Sequence, residues 1–110
     1  MEAKLRLSIK KDGEHVYGDG RQALLLAVDK LGSLNKAAAS LEMSYRAAWG
    51  KIKVSEERLG FKLLESKIGG VGGGGASLTH DARDLITKYS HFRSNATRQV
   101  EREFRAVFKS

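Results

Sequence analysis

Glycine is the only strong chain-breaker available to this chain: its 110 residues hold twelve glycines and no proline. Asp12-Gly13 marks a turn between two short runs. Gly18 and Gly20 flank Asp19 and interrupt the chain again. Gly32 and Gly60 each stand just past a helical pattern, where a C-terminal cap belongs. Residues 68–80, IGGVGGGGASLTH, then carry six glycines in thirteen positions. From Asp81 onward there is none.

The segments between these breaks read one at a time. In residues 3–11, AKLRLSIKK, Leu5, Leu7 and Ile9 share one face while Lys4, Arg6, Ser8 and Lys10 share the other. That alternation predicts a half-buried strand, with His15–Tyr17 as a short return. Asp19 is the expected N-cap of a helix over about 20–31, with Leu24, Val28 and Leu31 on one face and Leu25 beside it. Ser33 caps a short helix from Asn35 to Leu41, whose stripe is Ala37, Ala38 and Leu41. Small side chains there let a neighbouring helix come close. Glu42-Met43 is a tight break, and Ser44 caps a second helix over 45–59. Two short helices joined by a turn of a few residues form the helix-turn-helix pattern.

On a wheel of about 100° per residue with Tyr45 at zero, Trp49, Lys53, Arg46 and Gly50 fall between roughly 40° and 140°. Ser55, Ala48, Leu59 and Ile52 cluster between about 280° and 340°. One arc is small and apolar; the other carries a phenol, an indole, two cations and a glycine. The second suits a DNA major groove, where arginine reads guanine edges or phosphates and lysine neutralises phosphate. Gly50 costs a helix about 1 kcal/mol relative to alanine, which close approach of a ligand to the backbone would explain. Trp49 also lies near the edge of the apolar arc, so packing is its alternative role. Lys51 falls outside the groove face and reads as a solvated charge.

After Gly60, Phe61–Ile68 reads as a strand and Ala76–Leu78 as its return, with Thr79 capping a final helix. Three readings compete for the glycines between them. GVGGGGAS has alanine where a phosphate-binding loop requires lysine, and too few residues follow for a dinucleotide-binding unit. A linker would have to join two domains, and neither flank is large enough to stand alone. A hairpin has strand signals on both sides. Placed directly after a recognition helix, such a hairpin is a wing, whose glycines let backbone N–H groups approach a phosphate backbone or minor groove.

The formal net charge is +7, which invites an anionic partner, nucleic acid before a membrane surface. Cysteine is absent, so disulfide and thiol chemistry are excluded and a reducing cytoplasm is compatible. His15, His80 and His91 have no metal-ligand spacing. No run approaches the ~20 apolar residues of a membrane span, and the start alternates unlike a signal peptide. No nucleophile–base pair, metal cluster or intact phosphate loop stands out. The expectation is a cytoplasmic protein that is not an enzyme and holds no cofactor or metal.

From Asp81 to about Phe108, apolar residues recur at spacings of three and four: Leu85, Tyr89, Phe92, Ala96, Val100 and Phe104 among them. A helix of that length extends about 42 Å, more than so small a domain can cover. A homodimer burying Leu85, Tyr89, Phe92, Ala96, Val100 and Phe104 is the expectation, placing two recognition helices about one DNA turn apart.

GSLNKAAASLEMSYRAAWGKI followed by GFKLLESKIGGVGGGGASLT resembles the N-terminal DNA-binding domain of ModE-type molybdenum-responsive transcription regulators, over residues 20 to about 90. A weaker similarity, to LysR-type winged-helix domains, covers the same helices and the Leu78-Thr79 end of the wing. The resemblance implies an α+β, mostly α, winged helix-turn-helix with an N-terminal hairpin and a long C-terminal dimerisation helix. It implies one domain over 1–110: helix-turn-helix about 34–59, wing about 62–78, C-terminal helix about 80–108. It implies a homodimer reading an inverted repeat in double-stranded DNA. The expected contacts are Asn35, Lys36, Ser44, Tyr45, Arg46, Trp49, Lys53 and Lys67, with Gly70, Gly72 and Gly73 in the wing. Ala82 departs from the family's glycine shortly after Leu-Thr. The family's molybdate-binding domains have no counterpart in these residues, so molybdate sensing does not carry over. The alternatives are a protein-interaction module, or a DNA-binding subunit whose effector is sensed by another chain.

Overall fold

The computed structural model describes residues 1–67 and 75–109, with Lys67 described by its backbone. The chain opens with strands β1 (Ser8–Lys11) and β2 (Glu14–Gly18). Helices α1 (Asp19–Leu31), α2 (Leu34–Ser40) and α3 (Tyr45–Leu59) follow. Strands β3 (Leu64–Lys67) and β4 (Gly75–Leu78) lead into α4 (His80–Val107).

The first hairpin is antiparallel, with Ile9 opposite Tyr17 and a register irregularity between Ile9 and Lys10. Its turn residues Asp12 and Gly13 have φ of 52° and 78°, the left-handed pair that a two-residue hairpin turn demands. Exposure alternates along residues 3–10 as the sequence implied, but pairing begins only at Ser8, so the expected strand over 3–11 is cut short. The reason is that β2 ends at Gly18, opposite Ser8, and helix α1 starts at once; Leu5 has no strand beside it. Gly18 is held by a close approach: a Cβ there would lie 2.7 Å from the Leu7 carbonyl and 3.1 Å from the His15 ring.

The N-cap of α1 is Gly18, not Asp19, and no side chain caps it. Asp19 lies inside the first turn. The other expected caps are formed. Ser33 accepts from the Lys36 N–H, Ser44 from the Ala47 N–H and Thr79 from the Ala82 N–H, all near 3 Å. Gly32 and Gly60 close α1 and α3 with φ of 71° and 87°. The α2–α3 turn passes through Glu42 at φ 57°, and the Met43 N–H donates to the Ala38 carbonyl at 3.0 Å.

The core gathers Val16 and Tyr17 from β2, Leu24, Leu25 and Val28 from α1, and Leu34, Ala37 and Ala38 from α2. Ala48 and Ile52 of α3 join them, with Leu63, Leu78, Ala82 and Tyr89. Full burial of each large aliphatic side chain contributes about 1.5–3 kcal/mol. Leu31 and Leu41, expected on buried stripes, are 38% and 39% exposed. Each sits at the last turn of its helix, where the chain is already leaving the core, and Leu34 takes the place expected of Leu41.

The second hairpin pairs Leu64 with Leu78 and Lys67 with Gly75. It is pinned to the body at its base. The Ala76 N–H donates to the Gly32 carbonyl at 3.0 Å, and Thr79 Oγ1 donates to the Lys62 carbonyl at 2.7 Å. A three-helix body followed by such a hairpin is a winged helix-turn-helix.

Candidate nucleic-acid interface

Helix α3 is anchored by one arc and displays another. Ala48, Ile52 and Ser55 are buried, as the wheel implied, and Glu56 joins them. Ser55 Oγ donates to the Val16 carbonyl at 2.7 Å and accepts from Arg21 Nε at 2.8 Å, tying the rear of α3 to β2 and α1. On the other arc Tyr45 and Trp49 are about half exposed, Arg46 is exposed, and Gly50 is partly covered. Two large aromatics left in water on a recognition-type helix are costly to solubility and suit a ligand surface.

A cleft of about 440 Å³ separates this arc from the second hairpin. Asn35, Tyr45, Trp49 and Lys53 line it from the helices, and Glu65, Ser66 and Gly75 from the hairpin. The structure thus brings Asn35, Tyr45, Trp49 and Lys53 to one place. Lys36, Ser44 and Arg46 are exposed but stand outside this lining. Ser44 already accepts the Ala47 N–H, so only part of its hydroxyl's capacity remains for a ligand. Lys67 lies on β3, with its side chain outside the described residues. Gly70, Gly72 and Gly73 lie outside them altogether.

Lys53 is less free than the wheel suggested. Its ammonium lies 3.2 Å from Glu56 Oε1 and 5.6 Å from the centre of the Trp49 ring. Glu56 is the site residue that the helical pattern missed. Its carboxylate is only 6% exposed, and Oε2 accepts the Leu63 N–H at 2.7 Å and the Leu64 N–H at 3.3 Å. Burial works against its charge, but the two backbone N–H groups and Lys53 outweigh that and lower its pKa. Glu56 therefore couples the recognition-type helix to the root of the hairpin. The available signal was an i, i+3 partner for Lys53, which a wheel scored only for polarity does not register.

The expected dimer surface divides in two. Tyr89 is 2% exposed and packs edge-on against Tyr17, ring centres 5.1 Å apart, so it offers almost nothing to a partner. Leu85 is half-buried against the same core. Both belong to their own domain, because the first three turns of α4 pack on α1 and β4. Phe92 is 49% exposed, Val107 64% and Phe108 55%, while Ala96, Val100 and Phe104 are half-buried. Among the described residues no group of three or more His, Asp or Glu is placed to hold a metal ion. No described helix is long and apolar enough to cross a membrane.

Known proteins resemble this chain in sequence and in fold. The family of bacterial regulatory helix-turn-helix proteins of the lysR type matches residues 21–83. The molybdenum transport protein ModE of Azotobacter vinelandii is 34% identical over 84 residues, covering 76% of this chain and 31% of that protein. The transcriptional regulator ModE of Yersinia pestis is 36% identical over 94 residues, 81% of this chain and 34% of its own length. The molybdenum-pterin-binding protein MopB of Rhodobacter capsulatus is 38% identical over 72 residues, 66% and 27%. The chain thus spans about a third of the length of these relatives. Two solved structures share the fold: a CbnR DNA-binding domain bound to DNA, TM-score 0.62 at 24% identity over 81% of this chain and 98% of that one, and a BenM DNA-binding domain on a benA site, 0.60 at 23% over 83% and 97%. With the family's sequence pattern running through α1, both helices of the helix-turn-helix and the hairpin, the chain belongs to the lysR family of bacterial regulatory helix-turn-helix proteins.

Proposed function

We propose that the chain is the sequence-reading part of a transcription regulator, acting as a homodimer on an inverted repeat in double-stranded DNA. The observation that carries this is the outer arc of α3. Tyr45, Arg46, Trp49 and Lys53 stand on one solvent-facing surface beside a hairpin, on a helix whose opposite arc is locked in the core. Its names among relatives, transcriptional regulators and molybdenum proteins, support the regulatory reading. A recognition helix of this size enters a major groove, Arg46 reading a guanine edge, and Trp49 offering apolar contact beside it. The hairpin meets the adjacent backbone. Exposed Phe92 in the middle of α4, with half-buried Phe104 and exposed Phe108 at its end, supplies the two-fold contact.

The test is selection of random duplex DNA by the purified protein, followed by titration at two salt concentrations. An inverted repeat with half-sites about one helical turn apart is the expected result. Enrichment of no motif, with binding that disappears at moderate salt, would reduce the chain to a non-specific polycation and refute the reading.

A further inference from the structure

Two ion pairs tie helix α4 to α1: the exposed Arg83–Asp29 pair near its start, and Arg93–Asp19 ten residues on, where the helix leaves the body. Arg93 donates to both oxygens of Asp19, the first residue of α1: Nε to Oδ1 at 2.8 Å and Nη2 to Oδ2 at 3.1 Å. The same Nη2 reaches the Leu5 carbonyl at 2.7 Å. One turn earlier, the Tyr89 hydroxyl donates to Asp19 Oδ1. A two-pronged guanidinium–carboxylate pair fixes orientation as well as distance. Here it joins the segment before β1, the first turn of α1 and the middle of α4. Just inside, Gln22 Nε2 donates to the Ile86 carbonyl at 3.1 Å and to Ser90 Oγ at 2.9 Å. Beyond Thr97, among the described residues, α4 makes no hydrogen bond to another element. Arg93 is therefore the last hydrogen-bonded joint before the C-terminal half of the helix, where Glu101, Phe104, Arg105 and Phe108 share a cleft with Met1, Glu2 and Ala3.

We propose that the Asp19–Arg93 pair is a positioning device: it sets the angle between α4 and the recognition helix, and so the half-site spacing that the dimer accepts. This rests on the dimeric DNA-reading function proposed above. The lever is long enough to matter. Val107 lies fourteen residues past Arg93, about 21 Å of helix, so a tilt of ~10° at the joint displaces its end by roughly 4 Å. That is about one base-pair step along a strand, near 3.4 Å. A rigid joint obliges DNA of the wrong spacing to twist or bend, a penalty whose lower end is about fivefold in affinity. A loose joint lets the body swing instead.

The experiment pairs two readouts on the full chain. Operators with the spacer lengthened or shortened one base pair at a time are titrated with wild type, Asp19→Asn, Arg93→Lys and Arg83→Ala. Arg83 pairs with Asp29 at 2.9 Å on the exposed surface between α1 and α4, and serves as the control. In parallel, spin labels on cysteines at Lys30 and Arg105, in a chain with no cysteine of its own, measure the distance from α1 to the end of α4. Labelled chains are diluted with unlabelled ones so that only distances within one protomer are read. Asp19→Asn and Arg93→Lys should broaden or shift that distance and flatten the spacer profile by about fivefold or more, with half-site affinity kept. Arg83→Ala should change neither. Arg93→Lys keeps the charge but not the fork, so it stays informative if Asp19→Asn fails to fold. A wild-type spacer preference that both clamp variants retain would overturn the clamp alone. A wild type indifferent to spacing would overturn the dimeric function, and this inference with it.

Discussion

Arg46 and Glu56 lie on the same helix and carry opposite kinds of risk. Arg46 is exposed and appears in no ion pair among the described residues. Arg46→Ala should leave thermal unfolding within about 0.5 kcal/mol of wild type, as exposed substitutions usually do. It should cost about 1–3 kcal/mol of operator affinity and relax the preference at one base position. Unchanged selectivity in a binding titration would remove Arg46 from the reading surface. Glu56 is the reverse case. Its carboxylate is buried and receives two backbone N–H groups and Lys53. Glu56→Ala leaves those donors unpaired and should destabilise the fold by about 2–4 kcal/mol in denaturant titration. Glu56→Gln keeps one acceptor oxygen and should cost less. Equal losses from the two would mean that shape, not acceptor chemistry, matters at the hairpin root.

The helix-turn-helix element offers a way to separate capping from recognition. Ser44 caps α3 and faces the same solvent as Tyr45 and Arg46. Aspartate caps about as well as serine, while alanine loses about 1 kcal/mol. Ser44→Ala should therefore lower stability; Ser44→Asp should keep it yet weaken DNA binding, because a carboxylate then meets phosphate. Equal operator affinity for Ser44→Asp and wild type would show that the N-terminus of α3 stays away from the backbone. This element was also the most legible in sequence. Ser33, Ser44, Gly32 and Gly60 bracket α2 and α3 with chemistry that acts over three or four residues, and the structure puts each where the local rule says. What the sequence hid depends on distant partners. Asp19 looked like a cap because its neighbours are glycines; its carboxylate instead answers Arg93, 74 residues away. Tyr89 looked like interface because its spacing continues the stripe of α4, and spacing cannot say that Tyr17 already covers it. Glu56 was invisible for the same reason, since its acceptor role comes from backbone N–H groups in the next element.

At the scale of the molecule, two properties belong to no single element. The first is association: Phe104 and Phe108 lie with ring centres 5.1 Å apart at the C-terminal end of α4. Phe104→Asp should raise the dimer dissociation constant by about tenfold or more in sedimentation equilibrium, the equivalent of losing one partly buried aromatic. A monomeric wild type would sink the two-fold model directly. The second is acid stability. Arg93 and, against a smaller opposing effect of burial, the Tyr89 hydroxyl hold the Asp19 carboxyl at about 2, below its ordinary 3.8. The unfolded chain then binds the proton first, so this contribution is complete above about pH 4 and is lost as pH falls toward 2. Glu56 acts with the same sign just below its ordinary 4.5. His15 does so below its ordinary 6.5, because burial and then the cations Arg21, Lys51, Arg58 and Lys10 disfavour its charged form. Stability should therefore decline in two stages on acidification, a shallow one below pH 6.5 and a steeper one below about 4.5. Asp19 is more than a third exposed, so solvent screening keeps its share modest. The decisive comparison is the slope between pH 4 and 2. Asp19→Asn should be less stable than wild type at pH 7 and converge on it at low pH, because the wild-type carboxyl is by then protonated in both the folded and the unfolded state. A constant gap between the two across the whole range would mean that the pair contributes geometry alone, and that the charge at the joint is incidental to how α4 is held.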